Sequence, residues 1–454
     1  MSMHPLLGTL ILALAACAHG DAAQRTHDAE AAAGRKDDLA RFRADFLSKD
    51  RSYSGAARAE AETRLAKLEA SPEASQAYLE LELARIAALA DNGHTVSFPV
   101  VRSRRYNRVG IRLVPFAEEF HVLRAEEPHA DLLGARLVAI DDQPVARLRE
   151  TARSLVGGSP GRRDRFAPYF FESPEQMHAL GVIAAGDAAV YRFESRDGTA
   201  VERRLAGDRE SRERSRGTAE RWLFPQRMAS EGASWSALLA PEKAPWAFQD
   251  PDAPFRWRDA PEIGALVIDM RQNNDSHGRP IGDFLREMKQ RIEADAPRHL
   301  VLDLRLNGGG DLTRTREFMQ GLPGLVPGRV FVLTSPWTFS AAISSLGYLE
   351  QAAPDRVTIV GEMVGDRLQF WAEGTIVELP HCGAFILYAT ERHDYLTGCR
   401  PFDDCHAQVK RHPIAVPDLD PDIAAPWTIE AYRSGRDPGM EAVAAALRED
   451  TRGR

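Results

Sequence analysis

Four short apolar runs in the second half of the chain constrain its fold more than any other feature. Ala265-Leu-Val-Ile-Asp-Met270, Arg298-His-Leu-Val-Leu302, Val330-Phe-Val-Leu-Thr334 and Arg356-Val-Thr-Ile-Val-Gly361 are each long enough for one strand, too short for a buried helix, and rich in β-branched residues. Between the first two, residues 281–293 repeat their apolar positions at helical spacing, and residues 341–349 do the same after the third. Parallel strands need crossover connections, which are usually helices, so this alternation predicts an α/β sheet covered by helices. We assign that core to residues 259–454. A chain of 454 residues, 44 % of them hydrophobic, has room for the core and roughly two further domains.

Two of the runs end in segments that carry chemistry. Asp303-Leu-Arg-Leu-Asn-Gly-Gly-Gly-Asp311 follows the second, and its three glycines free the backbone to turn N–H groups toward a ligand. Trp337-Thr-Phe-Ser-Ala-Ala342 follows the third and opens the helical pattern that begins at Ala341, which sets Ser340 at a strand-to-helix turn. A hydroxyl there is exposed, and the N–H of Ala341 with the positive end of the helix dipole favours an oxyanion formed on attack. A helix-capping serine and a structural glycine turn account for the same letters. Far upstream, Leu89-Ala-Asp-Asn-Gly-His-Thr-Val96 puts His94 on a turn after a helical stretch. A serine needs a base to attack near neutral pH, and histidine is the usual one. The plain alternative is a turn histidine satisfied by backbone.

Taken in chain order, Asn-Gly-His-Thr, Asp-Leu-Arg-Leu-Asn-Gly-Gly-Gly and Thr-Phe-Ser-Ala-Ala resemble the C-terminal processing (tail-specific) serine peptidases, most of all the Ser-His branch that includes tricorn-type proteases. The likeness runs from about residue 35 to residue 445. It implies a core built as a crotonase/Clp-like spiral of strand–helix units, a helical N-terminal region over 18–95, a PDZ-like module over 96–206 with an insertion, and a connecting segment over 207–258. It further implies acyl transfer on peptide or protein substrates, with Ser340 as nucleophile, His94 as base, and Ala341 with Gly308 or Gly309 as oxyanion donors. No cofactor or metal is implied. The chain departs from the family at two places. Gly361-Glu-Met-Val-Gly-Asp-Arg367 lacks the base lysine of the Ser-Lys branch, and arginine stays protonated, so a Ser-His pair is favoured. Gly93 stands where tricorn-type members carry a hydroxyl beside the histidine. Glu362 is the acid expected to orient His94, its alternative role being a structural carboxylate at a strand end.

At the N-terminus, residues 5–16 are apolar and too short for a comfortable membrane span, which reads as a cleaved export signal. Leu14-Ala-Ala-Cys17 resembles a bacterial lipobox, so Cys17 is expected to carry lipid and tether the protein in the periplasm or cell envelope; a plain signal with an incidental cysteine is the alternative. Acidic residues outnumber basic ones, 66 to 58, and the net charge of −8 gives no reason to expect nucleic acid as a partner. The arginines of 209–216 alternate with glutamates, as on a solvated face or linker. Cys382, Cys399 and Cys405 lie near one another, and an oxidising compartment allows one disulfide among them with one thiol left over. His381, His393, His406 and His412 bring a zinc site to mind, but the spacing matches no standard pattern.

Upstream of the core, residues 29–90 have helical spacing, and 95–99, 110–115, 189–194 and 200–205 read as strands, the last two joined by the turn Arg196-Asp-Gly198. Residues 131–145 read as a helix end, a strand and a tight turn; the aromatic segment 168–174 reads as core. No period is visible around Trp222, Trp235, Trp246 and Trp257. Three readings of function remain: an active serine peptidase, a catalytically silent peptide-binding envelope lipoprotein, and a non-peptide hydrolase on the same core.

Overall fold

The computed structural model describes residues 32–209, 219–228, 231 and 234–452. The signal segment 5–16, the lipobox with Cys17 and most of the 209–216 stretch lie outside them. All four apolar runs become strands of one six-stranded sheet, in the order Ile423–Ala424, Val357–Gly361, Val330–Thr334, His299–Asp303, Ala265–Met270, Phe255–Ala260. Pairing is parallel across the first five. Both faces are covered, which is why the runs are mostly apolar rather than alternating. On one face Leu300, Leu302, Val330 and Val332 pack with Phe284 and Met288 of the helix Ile281–Asp295 and with Ile343 and Leu346 of the helix Ala341–Ala352. On the other, Val267, Val301, Phe331 and Leu333 meet Val443 of the terminal helix Pro438–Arg452. Each such side chain contributes roughly 1.5–3 kcal/mol when fully buried.

The edge strand Phe255–Ala260 pairs antiparallel with Ala265–Met270 and was not expected, since its first four residues fall in the connecting segment 207–258, where no period is visible. Long polar side chains disguise it. Arg256 is buried in an ion pair with Asp269 at 2.6 Å, and the Trp257 ring is covered by the Arg291 guanidinium at 3.7 Å.

A second, antiparallel sheet holds Ile111–Phe116, Glu119–Glu126, Arg136–Ile140, Ala188–Glu194 and Ala200–Ala206 in that order. The last two match the expected hairpin. Helix Val145–Arg153 packs on it through Leu148 and Ala152. Three short helices, Pro160–Phe166, Pro168–Phe171 and Pro174–Ala179, each begin at a proline, whose fixed φ suits a first helical turn. Phe170 and Phe171 of the aromatic segment are core residues.

Helices Gly55–Glu69 and Gln76–Ala88, capped by the Ser54 and Ser75 side chains, form the expected helical N-terminal region. They pack against a small sheet of Val96–Ser97, Ala384–Leu387 and Ile376–Leu379. Only Val96–Ser97 of the expected strand 95–99 forms, because Pro99 starts a short helix. Cys399 and Cys405 form a disulfide with Cα atoms 6.2 Å apart; Cys382 stays free and buried, and burial pushes its thiol up. Among the described residues no helix is long and apolar enough to cross a membrane.

Candidate active site

The turn after strand Val330–Thr334 is built to hold a serine in an unfavourable backbone shape. Ser335 Oγ donates to the Arg305 carbonyl, Thr338 Oγ1 donates to the Leu304 carbonyl at 2.9 Å, and the Phe339 N–H donates to the Asn307 carbonyl at 3.0 Å. These bonds tie the turn to the end of the neighbouring strand. Ser340 then takes φ 55°, ψ −127°, a region that costs a side-chain-bearing residue about 1–3 kcal/mol. Its hydroxyl makes no cap bond to the helix it precedes, so the simple capping role is absent. Instead Ser340 Oγ stands 3.0 Å from His94 Nε2.

Of the expected oxyanion donors, the structure separates Ala341 from the glycines. Ala341 opens the helix Ala341–Ala352, where first-turn N–H groups have no acceptor within the helix. Gly309 gives its N–H to Asn307 Oδ1 at 2.9 Å, and the Gly308 N–H faces the Arg271 carbonyl at 3.4 Å. Both glycine N–H groups thus face acceptors within the protein, whereas the expectation had one of them face a substrate. Gly309 matters sterically: it has φ 103°, and a Cβ there would come within 2.6 Å of Ser340 Cβ. Asn273, which the sequence did not single out, fixes this turn to the helix that Ser340 precedes. It accepts from Asn307 Nδ2 at 3.0 Å and donates to the Ala341 carbonyl at 3.0 Å and Ser345 Oγ at 2.9 Å. The Asp-Leu-Arg part of the motif is structural. Arg305 is clamped between Asp303 at 2.6 Å and Asp437 at 2.7 Å, and these carboxylates hold its guanidinium well above its ordinary value despite burial.

His94 is held from both sides. Asn92 exchanges hydrogen bonds with the Trp371 backbone at 3.0 and 2.9 Å, and Thr95 Oγ1 donates to Asp50 Oδ2 at 2.7 Å. The imidazole stacks on Phe339 with centroids 4.4 Å apart. Its Nδ1 faces Asp366 Oδ2 at 3.7 Å; both atoms are buried and take no other hydrogen-bond partner among the described residues. Catalytic hydrogen bonds are often this long before substrate binds. The space that Asp366 fills exists because residue 93 is glycine: a Cβ there would collide with Asp366 Oδ2 and approach Phe339 Cε2 to 2.8 Å. Asp366, four residues beyond the acid expected from the sequence, is thus the carboxylate beside His94.

Glu362 lies elsewhere. It lines a cavity of about 90 Å³ with Trp337, Arg165, Phe116 and Trp427. Burial pushes its carboxyl up to about 7, against the opposing influence of the Trp427 N–H and the Arg305 charge. A carboxyl raised in the fold binds its proton more tightly folded than unfolded. Ionisation therefore lowers stability as pH climbs from the ordinary 4.5 through about 7, and the loss is complete above that. Glu362→Gln is expected to raise stability at pH 8 by roughly 3 kcal/mol and to leave it unchanged at pH 4. Denaturant unfolding at the two pH values checks this; equal midpoints at pH 8 would count against it.

No family model matches the sequence, and no curated protein does. Among solved structures, mature CPAF in complex with lactacystin matches with a TM-score of 0.52 at 12 % identity, over 87 % of this chain and 92 % of that one. Another structure of mature CPAF gives 0.51 at 13 % identity, over 87 % and 91 %. A photosystem II D1 C-terminal processing protease aligns over 92 % of this chain and 97 % of its own at 13 % identity, with a TM-score of only 0.37. The chain thus shares its fold with CPAF.

Proposed function

We propose that the protein is a serine peptidase that hydrolyses exported or cell-envelope proteins through an acyl-enzyme on Ser340. The observation that carries this reading is the 3.0 Å approach of Ser340 Oγ to His94 Nε2 at a strained strand-to-helix turn. His94 takes the hydroxyl proton as the oxygen attacks a peptide carbonyl, and Asp366 steadies the imidazolium that forms. The Ala341 N–H at the positive end of the nucleophile helix holds the oxyanion. As the intermediate collapses, the peptide C–N bond breaks and His94 passes its proton to the leaving amine. Water, giving a proton to His94, then attacks the ester and releases the acid while Ser340 Oγ takes that proton back. We read the sheet within residues 96–206 as the PDZ-like module and the core as a crotonase-like spiral, both by resemblance. A lipid on Cys17 would hold the enzyme at the membrane surface; Cys17→Ser is then expected to release it into the soluble fraction, and unchanged membrane association would place any tether elsewhere.

One observation favours the catalytically silent reading. The N–H groups of Gly308 and Gly309 both face acceptors inside the protein, which leaves the oxyanion site with fewer donors. A fluorophosphonate probe separates the two. Labelling of Ser340 that disappears in His94→Ala supports the peptidase, whereas absence of labelling in the parent chain supports the silent protein. Because a histidine base works only when neutral, hydrolysis is also expected to fall in acid; a rate flat from acid to neutral pH would argue against His94 as base.

A further inference from the structure

Behind the catalytic imidazole, on strands the sequence did not reveal, stands a column of rings. Phe370 stacks on His94 with centroids 5.3 Å apart and planes 12° apart. His393 stacks on Phe370 at 4.8 Å and 16°, and His406 on His393 at 5.4 Å and 6°. Phe370 and His393 are direct cross-strand partners in the antiparallel pair Gln369–Ala372 and Glu391–Asp394, so backbone pairing sets their ring contact. Tyr395 closes on the edge of Phe370 at 5.6 Å and 85°.

His393 has only 3 % of its side chain exposed, yet both ring nitrogens are used. Nε2 lies 3.2 Å from Glu373 Oε1 and Nδ1 lies 2.9 Å from Tyr395 Oη. Tyr395 Oη is in turn 2.6 Å from Ser344 Oγ on the nucleophile helix. Burial holds His393 below its ordinary range against the pull of Glu373, and the hydrogen bond from His393 is the main cause that holds Glu373 below the usual carboxylate range. A neutral ring beside an ionised carboxylate donates from Nε2, which leaves Nδ1 to accept from Tyr395, whose oxygen accepts from Ser344. Every donor in the chain points toward Glu373. Glu373 itself sits at φ 58°, a left-handed conformation that costs a non-glycine residue about 1 kcal/mol or more. Its place there, with the carboxylate on a buried imidazole, marks a residue kept for its side chain.

We propose that Glu373 and His393 are positioning residues for His94: His393 and Tyr395 hold Phe370 flat on the imidazole, and the Glu373 carboxylate favours the imidazolium that forms when Ser340 gives up its proton. The inference rests on the peptidase reading of Ser340 and His94. Other charges face the same column and stay constant in the test. Asp366 faces His94 Nδ1, the Arg162 and Arg165 guanidinium groups lie 3.9 and 5.6 Å from the Phe339 centroid, and His406, paired with Glu391 at 2.7 Å, covers the far side of His393.

The test is an NMR titration of the His94 imidazole in the full chain, with the resonance assigned by His94→Gln. Glu373→Gln keeps an acceptor for His393 and removes the charge. Loss of the negative charge is expected to move the His94 midpoint lower, because the imidazolium loses a favourable partner. An unchanged midpoint overturns the role of Glu373. His393→Phe keeps the stack and removes both hydrogen bonds; fluorophosphonate labelling of Ser340 is expected to slow about fivefold with melting nearly unchanged. Should that variant fail to fold, Tyr395→Phe breaks the same chain and is expected to slow labelling likewise. Labelling at the parent rate in a folded variant overturns the positioning role. The titration needs no hydrolysis, so a parent chain that resists labelling defeats the peptidase reading while the midpoint still decides on Glu373.

Discussion

Replacing Ser340 by glycine is expected to abolish hydrolysis, a loss of about 10⁴-fold or more in kcat, and yet to leave the chain about 1 kcal/mol more stable than Ser340→Ala. Both variants lack the nucleophile, so their activities should be equally low. They differ in strain. Alanine keeps the Cβ that makes φ 55°, ψ −127° unfavourable, whereas glycine adopts positive φ freely. Elsewhere glycine is the less stable choice, because it loses more freedom on folding. An order of stability with glycine above alanine is therefore diagnostic of a serine held at a strained turn, where conformational energy is spent on presenting the hydroxyl. Urea unfolding of the two variants beside the parent measures it. A glycine variant less stable than the alanine variant would show that the turn is relaxed, and hydrolysis near the parent rate in either would remove Ser340 from the mechanism.

The parts of the fold that were legible in the sequence are those whose physics is local. Strands such as Val330–Thr334 are buried on both faces, so their burial shows as an unbroken apolar run. Ser340 and His94 were legible because turn, helix start and residue type coincide within a few positions. The edge strand Phe255–Ala260 was not, because arginine and tryptophan cover its faces with long side chains that carry polar ends. Nor were the short strands Gln369–Ala372 and Glu391–Asp394, each only four residues long, the second of them made of His, Arg and acidic residues that show no period. That Asp366, and not Glu362, stands beside His94 was hidden for a related reason. Both follow the same strand, and which one turns toward His94 is decided by the space left at Gly93, more than 260 positions upstream.

That space makes the last expectation a coupled one. Asp366→Asn is expected to lower kcat by about 10²–10⁴-fold with little change in melting, because an amide neither stabilises the imidazolium nor fixes the tautomer that leaves Nε2 free to accept from Ser340. The side chain is only 1 % exposed, so no solvent stands ready to replace it at 3.7 Å from Nδ1. Gly93→Ala should reach a similar activity by a different route. Its Cβ enters the volume held by Asp366 Oδ2 and presses on Phe339, the ring on which His94 lies, so the carboxylate must withdraw. Overpacking of this kind also costs about 1–3 kcal/mol of stability, which Asp366→Asn does not. Since both changes remove one interaction, the double variant should lose little more activity than either single one, whereas independent effects would multiply. A kcat for Asp366→Asn within about threefold of the parent, or multiplicative losses in the double variant, would mean that the Nδ1 side of His94 is served by another group.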